Sequence, residues 1–249
     1  MGRLQGKRAL VTGAGSGFGK SIAGAFVAQG AKVMIADINA VAAAKAVKAI
    51  GGQSYAFRMD VSRNEDVEEV MRSCEKTLGG LDIIVNNAGI THRNQPMLDV
   101  SEDEFDRIFA VNVKSVFLTA RHGVPVMRAN GGGVILNIAS TAGLRPRPGL
   151  TWYNGSKGAV ITLTKSMAAE LAADKIRVNA ISPVAGETPL LAMFMGEDTP
   201  ENRAIFEASI PWGRLSRPDD IASAAVFLCS DEAEMITGSS LQVDGGRCI

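Results

Sequence analysis

Tyr153 and Lys157 stand four residues apart in a stretch, Thr151 to Ala173, whose pattern predicts a helix. Positions i and i+4 share one helix face, so the spacing sets an ammonium beside a phenol. A free tyrosine ionises near a pH of about 10. A neighbouring cation favours the phenolate, whereas burial alone raises the pKa. If the charge prevails, such a pair can move a proton to or from a substrate oxygen near neutral pH. Alone, a Tyr-x-x-x-Lys pair is a weak signal.

A second group suits a phosphate. Arg8 to Val11 reads as a strand and runs into Thr12-Gly13-Ala14-Gly15-Ser16-Gly17-Phe18-Gly19, followed by a helical pattern over Gly19 to Gln29. Glycines permit a sharp turn and close approach to a pyrophosphate, and the helix start offers unpaired N–H groups and a positive dipole end. Gly13, Ser16, Gly17, Phe18 and Gly19 are therefore candidate cofactor contacts. The spacing is GxxxGxG, because position 18 is Phe rather than the glycine of GxGxxG. Asp37 closes the second strand, 24 residues after Gly13. A carboxylate there can accept hydrogen bonds from both adenosine ribose hydroxyls and repels a 2′-phosphate, which favours NAD over NADP. The competing reading of Asp37 is a helix N-cap. Asp60-Val61, past the third strand, falls where adenine would rest.

These residues need a scaffold. Short β-branched runs recur at Arg8–Val11, Lys32–Ala36, Gln53–Arg58, Asp82–Val85, Gly133–Ile138, Arg177–Ile181 and Leu241–Val243, as in buried parallel strands. Helical patterns separate them. Gly30 closes the first, and Ser62 with Glu65 and Ser101 with Glu104 read as capping boxes. Strand–helix alternation predicts an α/β, Rossmann-type doubly wound parallel sheet with helices on both faces. The chain of 249 residues reads as one domain, 1–249. Its least regular stretch, about 184–212, contains Pro189, Pro200 and Pro211 with Met193-Phe194-Met195. A segment this irregular inside a compact fold is expected to be functional, here a substrate lid.

Composition narrows the class. Twenty-six basic and 26 acidic residues balance, so the basic footprint of a nucleic-acid binder is missing. No long uncharged apolar run suggests a membrane span or a signal peptide. Cys74, Cys229 and Cys248 are odd in number and widely spaced, with no CxxC or Cys/His pattern. Neither disulfides nor a metal is expected, and a cytoplasmic location is the simplest reading.

Thr12-Gly13 through Gly19, Asn86-Asn87-Ala88-Gly89, Asn112, Ser140 and Tyr153-x-x-x-Lys157 occur in order and at family spacing. With them the chain resembles the short-chain dehydrogenases/reductases over essentially its whole length. The resemblance implies roles. Tyr153 would exchange the proton with the substrate hydroxyl or carbonyl, and Lys157 would lower the tyrosine pKa and bind the nicotinamide ribose. Ser140 would hold the substrate oxygen, and Asn112 a water linking Lys157 to solvent. Asn87, Ala88 and Gly89 would pack along the cofactor, with Pro183 beside it and Thr188 binding the nicotinamide carboxamide. A homotetramer is implied, with the segment from Pro218 to Gly246 supplying an interface. Two positions depart from the family's pattern: Phe18 replaces Ile or Leu, and Val184 replaces Gly.

Within the family, Thr91-His92-Arg93-Asn94, Pro148 to Tyr153 and Gly186-Glu187-Thr188-Pro189 look like strings of members that oxidise a benzylic alcohol bearing an anionic group. His92, Arg93, Arg145 and Arg147 fall in loops after strands, where such sheets bind ligands. Arg145 or Arg93 is the expected partner of a substrate anion. Trp152, Phe194 and Trp212 are candidate aromatic walls. The leading expectation is an NAD-dependent alcohol dehydrogenase. The alternatives are a 3-oxoacyl carrier-protein reductase, against which Asp37 argues, a polyol or sugar dehydrogenase, and a non-catalytic NAD-binding sensor or scaffold.

Overall fold

The computed structural model describes residues 2–249. Seven strands form one parallel sheet: β1 (Arg8–Thr12), β2 (Lys32–Asp37), β3 (Ser54–Arg58), β4 (Ile83–Asn86), β5 (Gly133–Ile138), β6 (Ile176–Pro183) and β7 (Ser240–Val243). Their order is β3-β2-β1-β4-β5-β6-β7. The helices are α1 (Gly17–Ala28), α2 (Ala40–Ile50), α3 (Asn64–Leu78), α4 (Glu102–Phe109), α5 (Ser115–Ala129), α6 (Thr151–Leu171), α7 (Leu191–Met195), α8 (Pro200–Ala208) and α9 (Pro218–Cys229).

The central strands are apolar on both sides because both sides are covered. In β1, Ala9 and Val11 pack with Ile22 and Phe26 of α1 and Ile221 and Ala225 of α9. Leu10, pointing the other way, packs with Val67 and Met71 of α3 and Leu118 of α5. Alternate strand residues face opposite sides, so a continuous apolar run suits a strand buried twice over. Burial of each of the larger side chains, from valine upward, contributes about 1.5–3 kcal/mol. Cys74 and Cys229 are buried helix residues in these two layers, as expected.

The chain winds from β1 to the β3 edge, then returns to lay β4 against the other side of β1. Successive connections diverge there, opening a crevice at the carboxyl ends of the strands. A buried polar network crosses the sheet beneath it. Thr119 Oγ1 donates to Asn86 Oδ1, Asn86 Nδ2 to Asn137 Oδ1, and Asn137 Nδ2 to Thr164 Oγ1, each at 2.9 Å. Every member is satisfied, so the network ties α5, β4, β5 and α6 in register without an orphan-group penalty.

Two local expectations need correction. Ser62 and Glu65 form no capping box: α3 begins at Asn64 with Arg63 at the N-cap. Ser62 Oγ instead donates to Asp60 Oδ1 at 2.7 Å, a charged acceptor two residues upstream. Asp37 is not a helix N-cap either. Asn39 caps α2, accepting from the N–H groups of Val41 and Ala42. The Ser101–Glu104 box does form, at the start of α4.

Candidate active site

The glycine turn after β1 is fixed by close contacts. A Cβ on Gly13 would lie 2.8 Å from Ala88 Cα, and one on Gly15 2.8 Å from Asp37 Oδ2. Gly17 adopts φ 53°, in the left-handed region that favours glycine. Ser16 is the N-cap of α1 but makes no side-chain cap bond, and no acidic residue occupies the first turn. The first N–H groups of α1 therefore remain available to an anion. Thr12 ties the turn to the next segment: its Oγ1 accepts from the N–H groups of Asn87 and Ala88, both at 3.0 Å. Asn87 Nδ2 donates to Thr12 O at 2.8 Å and Gly13 O at 3.1 Å.

A groove runs from this turn across the ends of β2 and β4. Gly13, Ser16, Gly17, Phe18, Asp37, Asp60, Val61, Asn87, Ala88, Gly89 and Thr188 all line it. Gly19 does not. It packs inside, where a Cβ would strike Asn87 Nδ2, so its contribution is to let the turn close. The Asp37 carboxylate is oriented by two backbone donors, Gly15 N–H and Asn39 N–H, each at 2.9 Å. The groove is also lined by Ile38, Met59, Ile90, Arg107 and Val111, none expected from the sequence. Isolated apolar residues and a lone arginine on an amphipathic helix carry no pattern that would mark them.

The groove opens into a crevice lined by Ser140, Tyr153, Lys157 and Pro183. Tyr153 and Lys157 lie one turn apart on α6, with Lys157 Nζ 5.9 Å from the centre of the Tyr153 ring. Nζ donates to Ile138 O at the end of β5, at 2.8 Å. Burial lowers the Lys157 pKa to about 8. Burial also pushes the Tyr153 phenol up to about 12, opposed by a hydrogen bond with Ser140. Desolvation thus outweighs that hydrogen bond, and the Tyr153 phenol stays protonated at neutral pH. Ser140 caps the turn Thr141–Gly143 after β5, its Oγ accepting from Ala142 N–H at 3.1 Å.

Asn112 sits in a π-helical turn, Ala110–Lys114, between α4 and α5. Such turns interrupt the regular ladder and often coincide with functional positions. Its Oδ1 accepts from Ile90 N–H, and its Nδ2 donates to Ile90 O and to Ser156 Oγ. Asn112 therefore pins the segment after β4 to α6. Gly89 closes the junction: a Cβ there would lie 3.3 Å from Lys157 Nζ and 3.4 Å from Asn112 Oδ1.

The crevice walls differ in part from expectation. Phe194 lines it, with its ring edge-on to Tyr153 at 5.1 Å. Trp152 faces elsewhere, packing on Phe105 and donating to Met97 O. Trp212 is 74% exposed and lies outside this crevice. Phe206 and Leu150, unmarked in the sequence, complete the apolar lining. Val184 is buried with Leu191, Ile210 and Leu215 in a small core belonging to the segment that covers the site. The side chain that replaces the family's glycine thus anchors that segment. Arg93 is exposed and does not line the crevice. Arg145 lines its edge, but its Nη1 donates to Arg247 O and Ile249 O.

No helix among the described residues is long and apolar enough to cross a membrane. A family model described as enoyl-(acyl carrier protein) reductase matches residues 13–247. The chain is 52% identical to 4-formylbenzenesulfonate dehydrogenase of Comamonas testosteroni, over 97% of each. It is 39% identical to galactitol 2-dehydrogenase of Agrobacterium fabrum, over 98% of each. A 3-ketoacyl-(acyl-carrier-protein) reductase of Brucella melitensis, solved with NADH, superposes with a TM-score of 0.95 at 50% identity. That superposition covers 99% of this chain and 100% of the other. The sulfonate relative bears on the benzylic strings noted above, which resemble 4-(hydroxymethyl)benzenesulfonate dehydrogenase, since oxidation of that alcohol gives 4-formylbenzenesulfonate. With its parallel sheet, glycine turn and Ser140–Tyr153–Lys157 cluster, the chain belongs to the short-chain dehydrogenase/reductase family of oxidoreductases.

Proposed function

We propose that this oxidoreductase interconverts an alcohol and a carbonyl with NAD(H), acting on a secondary or benzylic hydroxyl. The observation that carries the reading is one continuous cleft with a carboxylate suited to a ribose at one end and Ser140, Tyr153 and Lys157 at the other. The residues present fit the cofactor. The uncapped start of α1 and the close-packed glycines accept a pyrophosphate. The oriented Asp37 carboxylate accepts from ribose hydroxyls and disfavours a 2′-phosphate. Asp60 and Val61 border the adenine end. Lys157 would hold the nicotinamide ribose, and Pro183 and Thr188, which line the same crevice, would take the nicotinamide end.

When bound, the nicotinamide supplies the hydride acceptor or donor, which leaves the proton to the protein. Ser140 Oγ holds the substrate oxygen beside the Tyr153 hydroxyl. In the reducing direction the protonated phenol gives its proton to the developing alkoxide. In the oxidising direction Tyr153 must first release its own proton to solvent and then accept the substrate's, and Lys157, cationic below about pH 8, offsets part of the cost that burial places on that phenolate. Asn112 positions Ile90 and Ser156 around Lys157 and holds a water on the path to solvent. The segment at about 184–212 acts as a lid, supported by its own small core and by Phe194 against Tyr153. We extend the reading to a cytoplasmic homotetramer, on family membership and the free cysteines.

The test is reduction of NAD, then NADP, across benzylic alcohols, polyols and 3-hydroxyacyl thioesters. Turnover with NAD on benzylic alcohols supports the proposal. Activity confined to NADP(H) and acyl thioesters overturns it. A 3-oxoacyl thioester reductase is the second reading, favoured by the identity of the Brucella melitensis structure; a preference for thioesters with NADH in the same panel would select it.

A further inference from the structure

Two arginines line the substrate crevice: Arg145 is exposed, and Arg147 is half-buried. Its Cζ lies 4.3 Å from the centre of the Phe206 ring on α8, and its Nη2 donates to Ser209 Oγ at 2.8 Å. Asn154, next to Tyr153, donates through Nδ2 to Arg147 O at 2.8 Å. The arginine is thus tied on one side to the catalytic helix and on the other to the covering segment.

Its electrostatic surroundings are unusual. None of the ion pairs among the described residues includes Arg145, Arg147 or Arg247. The three lie close enough that, after burial, Arg247 and Arg145 are what lower the Arg147 pKa. Arg247 Nε is buried without a hydrogen-bond partner. The acid of the same segment, Asp244, holds the N–H groups of Gly246 and Cys248 with its carboxylate. Partly desolvated cations without an acidic side chain beside them are costly to keep together. An anion entering the crevice would relieve that repulsion.

We infer that Arg147 is the specificity residue of the crevice, holding the sulfonate or carboxylate of an aromatic alcohol or its aldehyde. The inference deepens the proposed alcohol–carbonyl chemistry and rests on that reading for the identity of the reacting group. The planar fork of Arg147 suits an oxyanion with two acceptors. Phe194 and Phe206 supply the walls against which an aromatic ring packs. Arg145, expected from the sequence to take this part, is held by carbonyls of the C-terminal segment. Its contribution is to place Arg247 near Arg147 and raise the local positive potential.

The test is calorimetric titration of the full-length protein with benzenesulfonate and, as the neutral probe, benzyl alcohol. Wild type, Arg147→Met, Arg147→Lys and Arg145→Met are compared, with circular dichroism checking each fold. Benzenesulfonate affinity is expected to fall roughly 10- to 100-fold in Arg147→Met, the factor carried by one lost charge-assisted hydrogen bond. Arg147→Lys should fall between, and Arg145→Met should change less than either. The ratio of kcat/KM for 4-(hydroxymethyl)benzenesulfonate over benzyl alcohol should drop by the same factor in Arg147→Met. Absence of benzenesulfonate binding by wild type, or equal binding by wild type and Arg147→Met, overturns the inference. Tyr153-dependent turnover with an unchanged ratio in Arg147→Met sinks the anion site and leaves the proposed chemistry standing. Arg147-dependent binding with no nicotinamide-linked turnover of any alcohol does the reverse.

Discussion

The nucleotide groove and the substrate crevice meet at Phe18, Asn87, Gly89, Thr188 and Leu190, yet they are held in different ways. Around the groove the backbone does most of the shaping: Gly13 against Ala88, the exposed start of α1, and Asp37 oriented by two N–H groups. Around the crevice side chains do it: Phe194 and Phe206 on the covering segment, Arg147 between them and α6, and Tyr153 and Lys157 buried at the base. Close-packed backbone leaves almost no room for substitution, whereas side-chain walls can be exchanged while volume is kept. A family with one cofactor chemistry and many substrates fits that division.

Lys157 lies in the crevice against Gly89, one of the residues where the two regions join, and replacing it should have the largest effect. Lys157→Met is expected to lower turnover by about 10²- to 10⁴-fold, the range of general acid–base catalysis, measured as kcat with saturating NAD. It should also stabilise the cofactor-free protein. Burial lowers the lysine pKa from 10.5 to about 8. Below pH 8 both folded and unfolded states carry the proton, and the folded state bears the whole cost of burying it. Between about pH 8 and 10.5 only the unfolded state binds the proton, so wild-type stability rises with pH. The gain from Lys157→Met, roughly 1–3 kcal/mol after loss of the bond to Ile138 O, is largest below pH 8 and fades above it. Denaturant unfolding at pH 7 and pH 10 reads this difference. A variant less stable than wild type at pH 7 would contradict the buried-cation account.

Backbone control of the groove is sharpened by Gly13→Ala. The added methyl must displace the Ala88 backbone, and Gly13 already sits at φ 61°. The variant should lose about 1–3 kcal/mol of stability, as overpacked sites do, together with NAD affinity. Normal NAD titration would show that the turn yields. Asp37→Ser should weaken NAD binding by roughly 1.5–3 kcal/mol, the scale of hydrogen bonds to a charged group, and relax discrimination against NADP. An unchanged NAD/NADP ratio would mean that another groove residue reads the ribose. Phe194→Leu tests the tolerance of the other region. It should alter kcat/KM for aromatic alcohols by no more than about 1.5 kcal/mol, the range of hydrophobic swaps of similar volume, with NAD affinity unaltered.

The same division explains what the sequence disclosed. Strands buried on both faces must be apolar and short, and β5 falls at the limits read from the sequence, Gly133–Ile138. The glycine turn was legible because only glycine satisfies its approach to Ala88 and its positive φ. Asp37 was legible because a single acidic side chain ends an apolar strand. The Ser62–Glu65 box misled because Ser62 Oγ donates to the Asp60 carboxylate and α3 starts only at Asn64, with Arg63 at its N-cap. The π-helical turn at Asn112 left no mark in composition, being set by side-chain bonds to Ile90 and Ser156. In Arg145-Pro146-Arg147 the sequence reading favoured Arg145, and nothing local reveals that Arg147 is the more buried of the two guanidiniums lining the crevice. Contacts with Phe206, Ser209 and the C-terminal segment decide it. Trp212 looked like a pocket wall, but nothing local to it reveals that it stays exposed.

The central claim is that the Tyr153 hydroxyl carries the proton in an NAD(H)-linked interconversion of alcohol and carbonyl. The most direct test is turnover of 4-(hydroxymethyl)benzenesulfonate with NAD by wild type and Tyr153→Phe, with NADH affinity measured on the same samples. The expected result is turnover by wild type, a loss of at least about 10²-fold in the variant, and cofactor affinity retained. Near-normal turnover by Tyr153→Phe would remove Tyr153 from the chemistry and contradict the account.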